Sequence, residues 1–398
     1  MTRRGPTRCD EATPKRGHSP PTSVADSGRL AVRDAGADDD RRSAPGYNAP
    51  VPDRTLTGLA FEDLASRLGS RTRALAARRW LFAVRPVPSA LPDRIPGVSI
   101  AAWAAVRSET PMPSWRIAAR REAPDGTIRL ALDLSGATVE TVLIPSRGRS
   151  TVCVSSQAGC TRHCRFCATA TLGFARQLSA GEIVLQYLVA RALAPAQAPA
   201  RNVVFMGMGE PMDNLEAVLA AVSRLTDEGA PRLSATNVTV STTGIVPGME
   251  RFLRECPAHL ALSLNATTDA QRERQMPHTR SWPIRALLDV LRADQLRGSG
   301  RRYFIEYVLW AGVNDSDADA VRLAALLAGL PAHVNLIPHN PFAGSGLEPP
   351  APDRLRTFQR LVHEAGVRCL VRRARGAEIA GACGQLALSD SPEPGHGV

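Results

Sequence analysis

A chain of 398 residues, 44% of them hydrophobic, is long enough to bury one large core and a small accessory unit. Its formal net charge of +11 favours a polyanionic partner, nucleic acid above all, although the basic residues are nearly all Arg, as GC-rich coding would also give. No apolar run reaches the ~18–20 residues of a membrane span and no secretory signal opens the chain, so a cytoplasmic protein is expected, its eight cysteines serving metal ligation or thiol chemistry rather than a disulfide scaffold.

Residues 1–54, rich in Pro, Arg, Asp, Ser and Gly without apolar periodicity, predict a disordered tail. From Leu56 the stretches "LAFEDLASRL" and "RTRALAARRWLFAV" space their apolar residues as helices do, so residues 55–126 are expected to form a helical accessory unit and a linker. Arg71, Arg73, Arg78 and Arg79 lie between the apolar positions, either as an RNA-contacting face or as an ordinary solvated surface. Residues 127–146 alternate around Ser135-Gly136 and predict a hairpin.

Thereafter short apolar runs and helical patterns take turns. "TVCV", "NVVFMG", "NVTVST", "LALSL", "YFIEYVLW", "HVNLIP" and "RCLVRR" read as strands, with amphipathic helices between them. Such alternation predicts an α/β fold of parallel strands with right-handed crossovers, a barrel or an open barrel, over residues 127–386, followed by a disordered C-terminus at 387–398. Chemistry in these folds sits at the carboxyl ends of the strands.

The loop after the first of these strands, "QAGCTRHCRFCATATLGFARQ", spaces Cys160, Cys164 and Cys167 as Cys-x3-Cys-x2-Cys. Three thiolates without a fourth suit an iron-sulfur cluster with one open iron. The alternatives are zinc, with His163 as its nearest further ligand, and plain buried or redox thiols. Cys9, Cys256 and Cys369 are not placed for chemistry.

This loop, with Phe166 before its last thiol, resembles the signature of radical S-adenosylmethionine (SAM) enzymes. Together with "CVSSQAGC", "FMGMGEPMDN", "STTGIVPGM", "VNLIPHNPF" and "RARGAEIAGACGQL", it makes the chain from Leu56 to Leu386 similar to the RlmN/Cfr-type RNA adenine methyltransferases. The resemblance implies a partial (βα)6 radical-SAM barrel and one 4Fe-4S cluster held by Cys160, Cys164 and Cys167. It also implies SAM as methyl donor and radical source, bound by Gly209, Glu210, Ser241, Ser263, Leu264, Asn265 and Asn340.

An amidine carbon of adenine is electrophilic and resists direct transfer from a sulfonium. The family's solution, carried over by resemblance, is to methylate Cys383 first, activate that methyl group as a radical and add it to the base. Cys153 is then the resolving thiol, forming a transient disulfide with Cys383, and Glu140 the proton acceptor. Without the family, Glu140 reads as a solvent-facing strand residue and Cys153 as a strand-core thiol. The implied partners are an unstacked adenine in 23S ribosomal RNA, with transfer RNA as a further candidate, and an electron donor such as flavodoxin or ferredoxin; a monomer is expected. Arg372, Arg373 and Arg375 join the N-terminal arginines as candidate phosphate contacts.

Pro211 resembles the carbon-2 enzymes, which leaves carbon 8 or another RNA as the alternative. Outside the family stand a glycyl-radical activating enzyme, which shares the cluster loop but has no use for Cys153 and Cys383, and a non-catalytic metal-containing RNA-binding protein. The chain departs from the family at Ala168-Thr169-Ala170-Thr171, where a basic residue is missing, at Ala76, and at Gly376-Ala377-Glu378-Ile379.

Overall fold

The computed structural model describes residues 53–230 and 233–388, so Cys9 and nearly all of the expected N-terminal and C-terminal tails lie outside the described residues. The helical unit comprises α1 (Phe61–Leu68), α2 (Arg71–Ala83) and α3 (Ile100–Glu109). Gly69 ends α1 in the left-handed region, and Ser70 starts α2 by accepting a bond from the Arg73 amide.

The stretch read as linker contains a strand, β1 (Trp115–Glu122), antiparallel to β2 (Ile128–Leu134). Its sequence, WRIAARRE, hid this because most of the strand is exposed and no face is consistently apolar. Between β2 and β3 (Ala137–Ser146) the turn residues Ser135 and Gly136 both take positive φ, +45° and +91°, as a tight two-residue hairpin loop demands. The reading of a hairpin at 127–146 therefore describes part of a longer antiparallel meander.

β4 (Arg149–Cys153) pairs antiparallel with β3 on one side and parallel with β7 (Ala200–Phe205) on the other. From there β8 (Val238–Thr242), β9 (His259–Ser263), β10 (Tyr303–Leu309), β11 (Ala332–Pro338) and β12 (Arg368–Val371) continue in parallel and in sequence order, completing a ten-stranded sheet. The crossovers are α4 (Ala180–Ala192), α5 (Leu215–Thr226), α6 (Val246–Glu255), the pair α7 (Asp269–Gln275) and α8 (Ile284–Leu296), α9 (Asp317–Leu327) and α10 (Pro352–Glu364). This is the α/β fold expected, with six βα units followed by a last strand. A reciprocal Ser179–Glu182 capping box starts α4, and Ser316–Asp319 does the same for α9.

The sheet register separates two faces. Val240, Leu260 and Tyr303 align across β8, β9 and β10 on the helix-covered face, where the Tyr303 hydroxyl reaches Leu291 O on α8 at 3.1 Å. The opposite, inner face aligns Ser263, Glu306 and Asn335 across β9 to β11. On β3 and β4 the same face carries Glu140, Val142 and Cys153, since Val142 pairs with Cys153 and Cys153 with Val204. Sheet twist and alternation thus gather polar residues from distant strands into one hollow. No helix among the described residues is long and apolar enough to cross a membrane.

Candidate active site

Cys160, Cys164 and Cys167 lie in the loop that β5 (Gln157–Gly159) and β6 (Phe174–Gln177) close into a small hairpin. Gly159, at φ +74°, makes that closure feasible, because a Cβ there would stand 1.9 Å from Gly173 O. Under the loop, the Gln157 amide donates to Gln177 at 2.9 Å and accepts from the Glu210 backbone at 2.9 Å, while Arg162 and the Thr161 hydroxyl both engage Asp213. These ties lock the cluster loop to the segment that follows β7.

Burial pushes all three thiols up, and their mutual charge pushes further: Cys167 acts on Cys160, and both act on Cys164. Thr169 and the Ala170 amide oppose this at Cys167 through hydrogen bonds. Thiolates buried together are costly unless a positively charged centre offsets them, so this donor set fits a metal cluster. His163, the further zinc ligand considered from sequence, is exposed. Among the described residues no three His, Cys, Asp or Glu side chains gather to hold a single ion; thiolates bound to separate irons of a cubic cluster need no such convergence.

At the end of β7, Gly209 takes φ +105°, and a Cβ on it would lie 2.7 Å from both the Ser156 hydroxyl and Gln157 Cβ. That Ser156 hydroxyl is buried and has no hydrogen-bond partner. A glycine cradle with an unsatisfied hydroxyl fits the polar end of SAM. Glu210 is buried and anchored, accepting from the Met212 amide at 3.0 Å and from the Thr243 amide and hydroxyl at 2.8 Å each. Burial and nearby Asp213 raise its pKa, against Arg162 and those backbone bonds.

Ser241 and Ser263 stand with hydroxyls 3.4 Å apart at the carboxyl ends of β8 and β9. Leu264 and Asn265 follow at the same level, but their side chains turn elsewhere. Leu264 packs into the core, and the Asn265 amide accepts from Val308 N at 2.9 Å and reaches Met276 Sδ at 3.5 Å. Asn340, after β11, donates to Cys383 O at 3.0 Å.

Residues 377–388 cross the mouth of the hollow. Ala168 N donates to Gly384 O at 2.7 Å and the Thr169 hydroxyl to Leu386 O at 2.6 Å, so residues that depart from the family pattern pin the terminal segment onto the cluster loop. Gly384 follows Cys383 at φ +84°, where a Cβ would come within 3.1 Å of Phe166 O. Cys383 itself is exposed at this mouth, and Cys153 is buried on the inner face below.

Cys153 senses Cys383. Burial, then Cys383, pushes Cys153 up to about 12; at Cys383, whose surface is exposed, desolvation by the residues packed around its sulfur raises the pKa, with Cys167 and Glu306 adding to it. Arg372 opposes the shift at both. Cys153, Cys383 and a cluster thiol are thereby in one electrostatic neighbourhood, although they are far apart in sequence. Cys256 and Cys369 are buried away from it, raised by burial.

Glu140 is not solvent-facing. It is 1% exposed, paired with Arg129 at 3.0 Å, and accepts from the Leu388 amide at 3.2 Å. Burial raises its pKa, while the Leu388 amide, Arg129 and the Ala387 amide hold it back.

Sequence reasoning missed Glu306, whose carboxylate accepts from Asn335 at 2.8 Å and pairs with Arg372 at 3.5 Å on the floor of the hollow. An acid inside the apolar run YFIEYVL was the available signal. Of the arginines read as phosphate contacts, Arg78 is buried against Asp227 and Leu59 O, Arg71 pairs with Glu62 and Glu228, and Arg375 with Asp125. Arg79 and Arg373 are exposed.

Residues 154–324 match the model of the radical SAM superfamily. A probable RNA methyltransferase of Sorangium cellulosum is 43% identical over 393 residues, covering 95% of each chain. A dual-specificity RNA methyltransferase RlmN of Anaeromyxobacter is 42% identical over 352 residues, covering 86% of this chain and 92% of its own. Among solved structures, a radical SAM methyltransferase from Sphaerobacter thermophilus superposes with a TM-score of 0.78 at 38% identity, covering 84% of this chain and 99% of that one. With a radical SAM domain, a cysteine loop suited to its cluster and relatives matched over most of their length, this chain belongs to the RlmN-type RNA methyltransferases of the radical SAM superfamily.

Proposed function

We propose that the chain methylates carbon 2 of an adenine in 23S ribosomal RNA, with a transfer RNA adenine as a second substrate, using Cys383 as methyl carrier. The cluster and SAM, when bound, supply the methyl group and the radical that activates it. Cys160, Cys164 and Cys167 hold the cluster, and the cradle of Gly209 with Ser156, Glu210, Ser241, Ser263 and Asn340 holds SAM. The observation that carries the reading is the seating of the Cys383 segment on the cluster loop, where Ala168 N, next to Cys167, donates to Gly384 O at 2.7 Å and Asn340 donates to Cys383 O at 3.0 Å; an ordinary methyltransferase has no need of a thiol there.

In this reading Cys383 takes the methyl group and presents it to the base from the mouth of the hollow. Glu140 accepts a proton from the covalent protein–RNA adduct, and Cys153 forms a disulfide with Cys383 as the methylated RNA leaves. Arg372, the cation nearest in effect to both, favours their thiolate forms. Pro211 supports carbon 2 over carbon 8. The protein is read as a cytoplasmic monomer reduced by a flavodoxin or ferredoxin.

The test is anaerobic reconstitution with iron, sulfide, reductant and SAM, followed by mass spectrometry of the C-terminal peptide. One added methyl group on Cys383, and complete loss of RNA methylation in Cys383→Ala, are the expected results. An unmodified Cys383, or an active alanine variant, overturns the proposal.

A further inference from the structure

The inner face of the sheet does not stop at Glu140. Across β3, β2 and β1 it continues as Ala131 beside Glu140, Ala119 beside Ala131, Arg121 beside Arg129 and Arg116 beside Asp133. Leu388, whose amide is held by Glu140, lies at the near end. Among the described residues these line a cavity of about 350 Å³ beside the edge strand β1.

Three features define what fits. The floor is made of small apolar groups, Ala118, Ala119 and Ala131, giving a shallow surface without projecting side chains. The rim carries Arg116, whose side chain is 71% exposed and paired with Asp133, and Arg121. The inner end is the buried Arg129–Glu140 ion pair, so Glu140 forms part of the cavity's wall. Its volume is at the small end of the ~300–1,000 Å³ range of ligand pockets, room for a single nucleotide and not for a length of duplex.

We propose that this cavity is a subsite for the nucleotide adjacent to the target adenine in the RNA substrate. Phosphates on its two sides lie against Arg116 at one end of β1 and Arg121 toward the other, and its base lies on the Ala118–Ala119–Ala131 floor between them. The proposal rests on the methyltransferase reading above, since it takes the adenine to be bound between Cys383 and Glu140. An adenine pulled from its stack drags its neighbours with it, and a site for one neighbour returns part of the cost of unstacking. It also gives β1 a function. An edge strand bearing Arg116, Arg120 and Arg121 is protected from pairing with other strands by its charge, and the same charge suits a polyanion.

The test uses the reconstituted full chain and an RNA hairpin with an unpaired adenine in its loop, its affinity measured across a salt series. In Arg116→Ala/Arg121→Ala the slope of log affinity against log salt should shrink by about 0.7–0.9 for each phosphate no longer neutralised, and restoring Lys at both positions should recover most of it. Ala119→Leu fills the floor without touching charge. It should weaken the intact hairpin, yet leave unchanged the weaker binding of a hairpin that is abasic beside the adenine, because the two changes remove the same interaction. Circular dichroism of each variant confirms the fold. Salt slopes equal to wild type, or an Ala119→Leu penalty that persists on the abasic hairpin, overturn the subsite. Absence of a methyl group on Cys383 in the wild-type chain would instead defeat the methyltransferase reading, so the two failures are told apart.

Discussion

A carboxylate that is 1% exposed is an expensive thing to keep in a strand, and Glu140 is kept by one arginine and the backbone amides of the terminal segment. Its burial is the dominant influence, so its pKa stands above the ordinary carboxylate range despite those partners. The sign for activity follows. A proton acceptor works only when ionised, so release of methylated RNA should rise with pH through a limb lying above the usual carboxylate range. Arg129→Met removes a charge that favours the ionised form, and the limb should move further up; single-turnover release rates across pH check this, and a limb that stays or moves down contradicts it. Glu140→Gln should slow release by about 10²–10⁴-fold, the usual worth of a positioned general base, while leaving methylation of Cys383 in place. Sequence alone favoured the opposite surroundings for this residue. Nothing in VETVLIPS tells that the face bearing Glu140 is covered, because the cover comes from Arg129 on the neighbouring strand and from residues 387 and 388, whose arrival depends on the whole fold.

The terminal segment is the element that assembles the site, and it has almost no regular structure of its own: one 3-10 turn at Ala377–Ile379 and then bonds to other parts of the chain. Thr169 holds it from below, with its hydroxyl on Leu386 O at 2.6 Å. Thr169→Ala leaves that buried carbonyl unsatisfied, a loss of about 1–3 kcal/mol, which should raise hydrogen exchange of the amides of residues 382–388 by roughly 5- to 150-fold. Unchanged exchange there would mean that Asn340 and Ala168 hold the segment without it. The parallel half of the sheet was legible because each strand is a short apolar run between capped amphipathic helices, as in Ser179 before α4. What stayed hidden were β1, the β5–β6 hairpin and α7, all short or exposed, whose pairing partners rather than their own periodicity decide their conformation. The motif residues were legible through resemblance. Their packing was less so: Leu264 lies in the apolar core and Asn265 ties to the Val308 amide, contacts that no spacing in the sequence reveals.

At the scale of the molecule, the helical unit and the barrel share one continuous apolar core, which holds Leu64, Leu81, Phe82 and Trp103 together with residues of every parallel strand. Phe82 packs on Tyr187 of α4 with ring centroids 6.3 Å apart, and Arg224 at the end of α5 reaches back to Gly58 O at 3.0 Å. The joint is clasped by Arg78, 1% exposed, which bonds Leu59 O at 2.8 Å and Asp227 at 3.0 Å. Burial pushes Asp227 up to about 6 in spite of Arg78 and Arg224, so the carboxylate is still mostly ionised at neutral pH but takes a proton more readily than an ordinary Asp. Arg78→Met should therefore cost near the lower end of the about 3–5 kcal/mol typical for removing one partner of a buried pair, because Asp227 can take a proton instead of remaining an unpaired charge. A shared core predicts that the loss is felt everywhere. Trp103 is wholly buried in the helical unit and Trp310 wholly buried at the barrel mouth, so single-tryptophan versions of the chain report each part separately by fluorescence in urea. Both probes should unfold at one midpoint, and Arg78→Met should lower that midpoint equally for both with an unchanged slope. If Trp103 unfolds first, or if only its midpoint falls, the helical unit is a separable domain, and its hold on the sheet near β1 is too weak to fix the position of an RNA strand there.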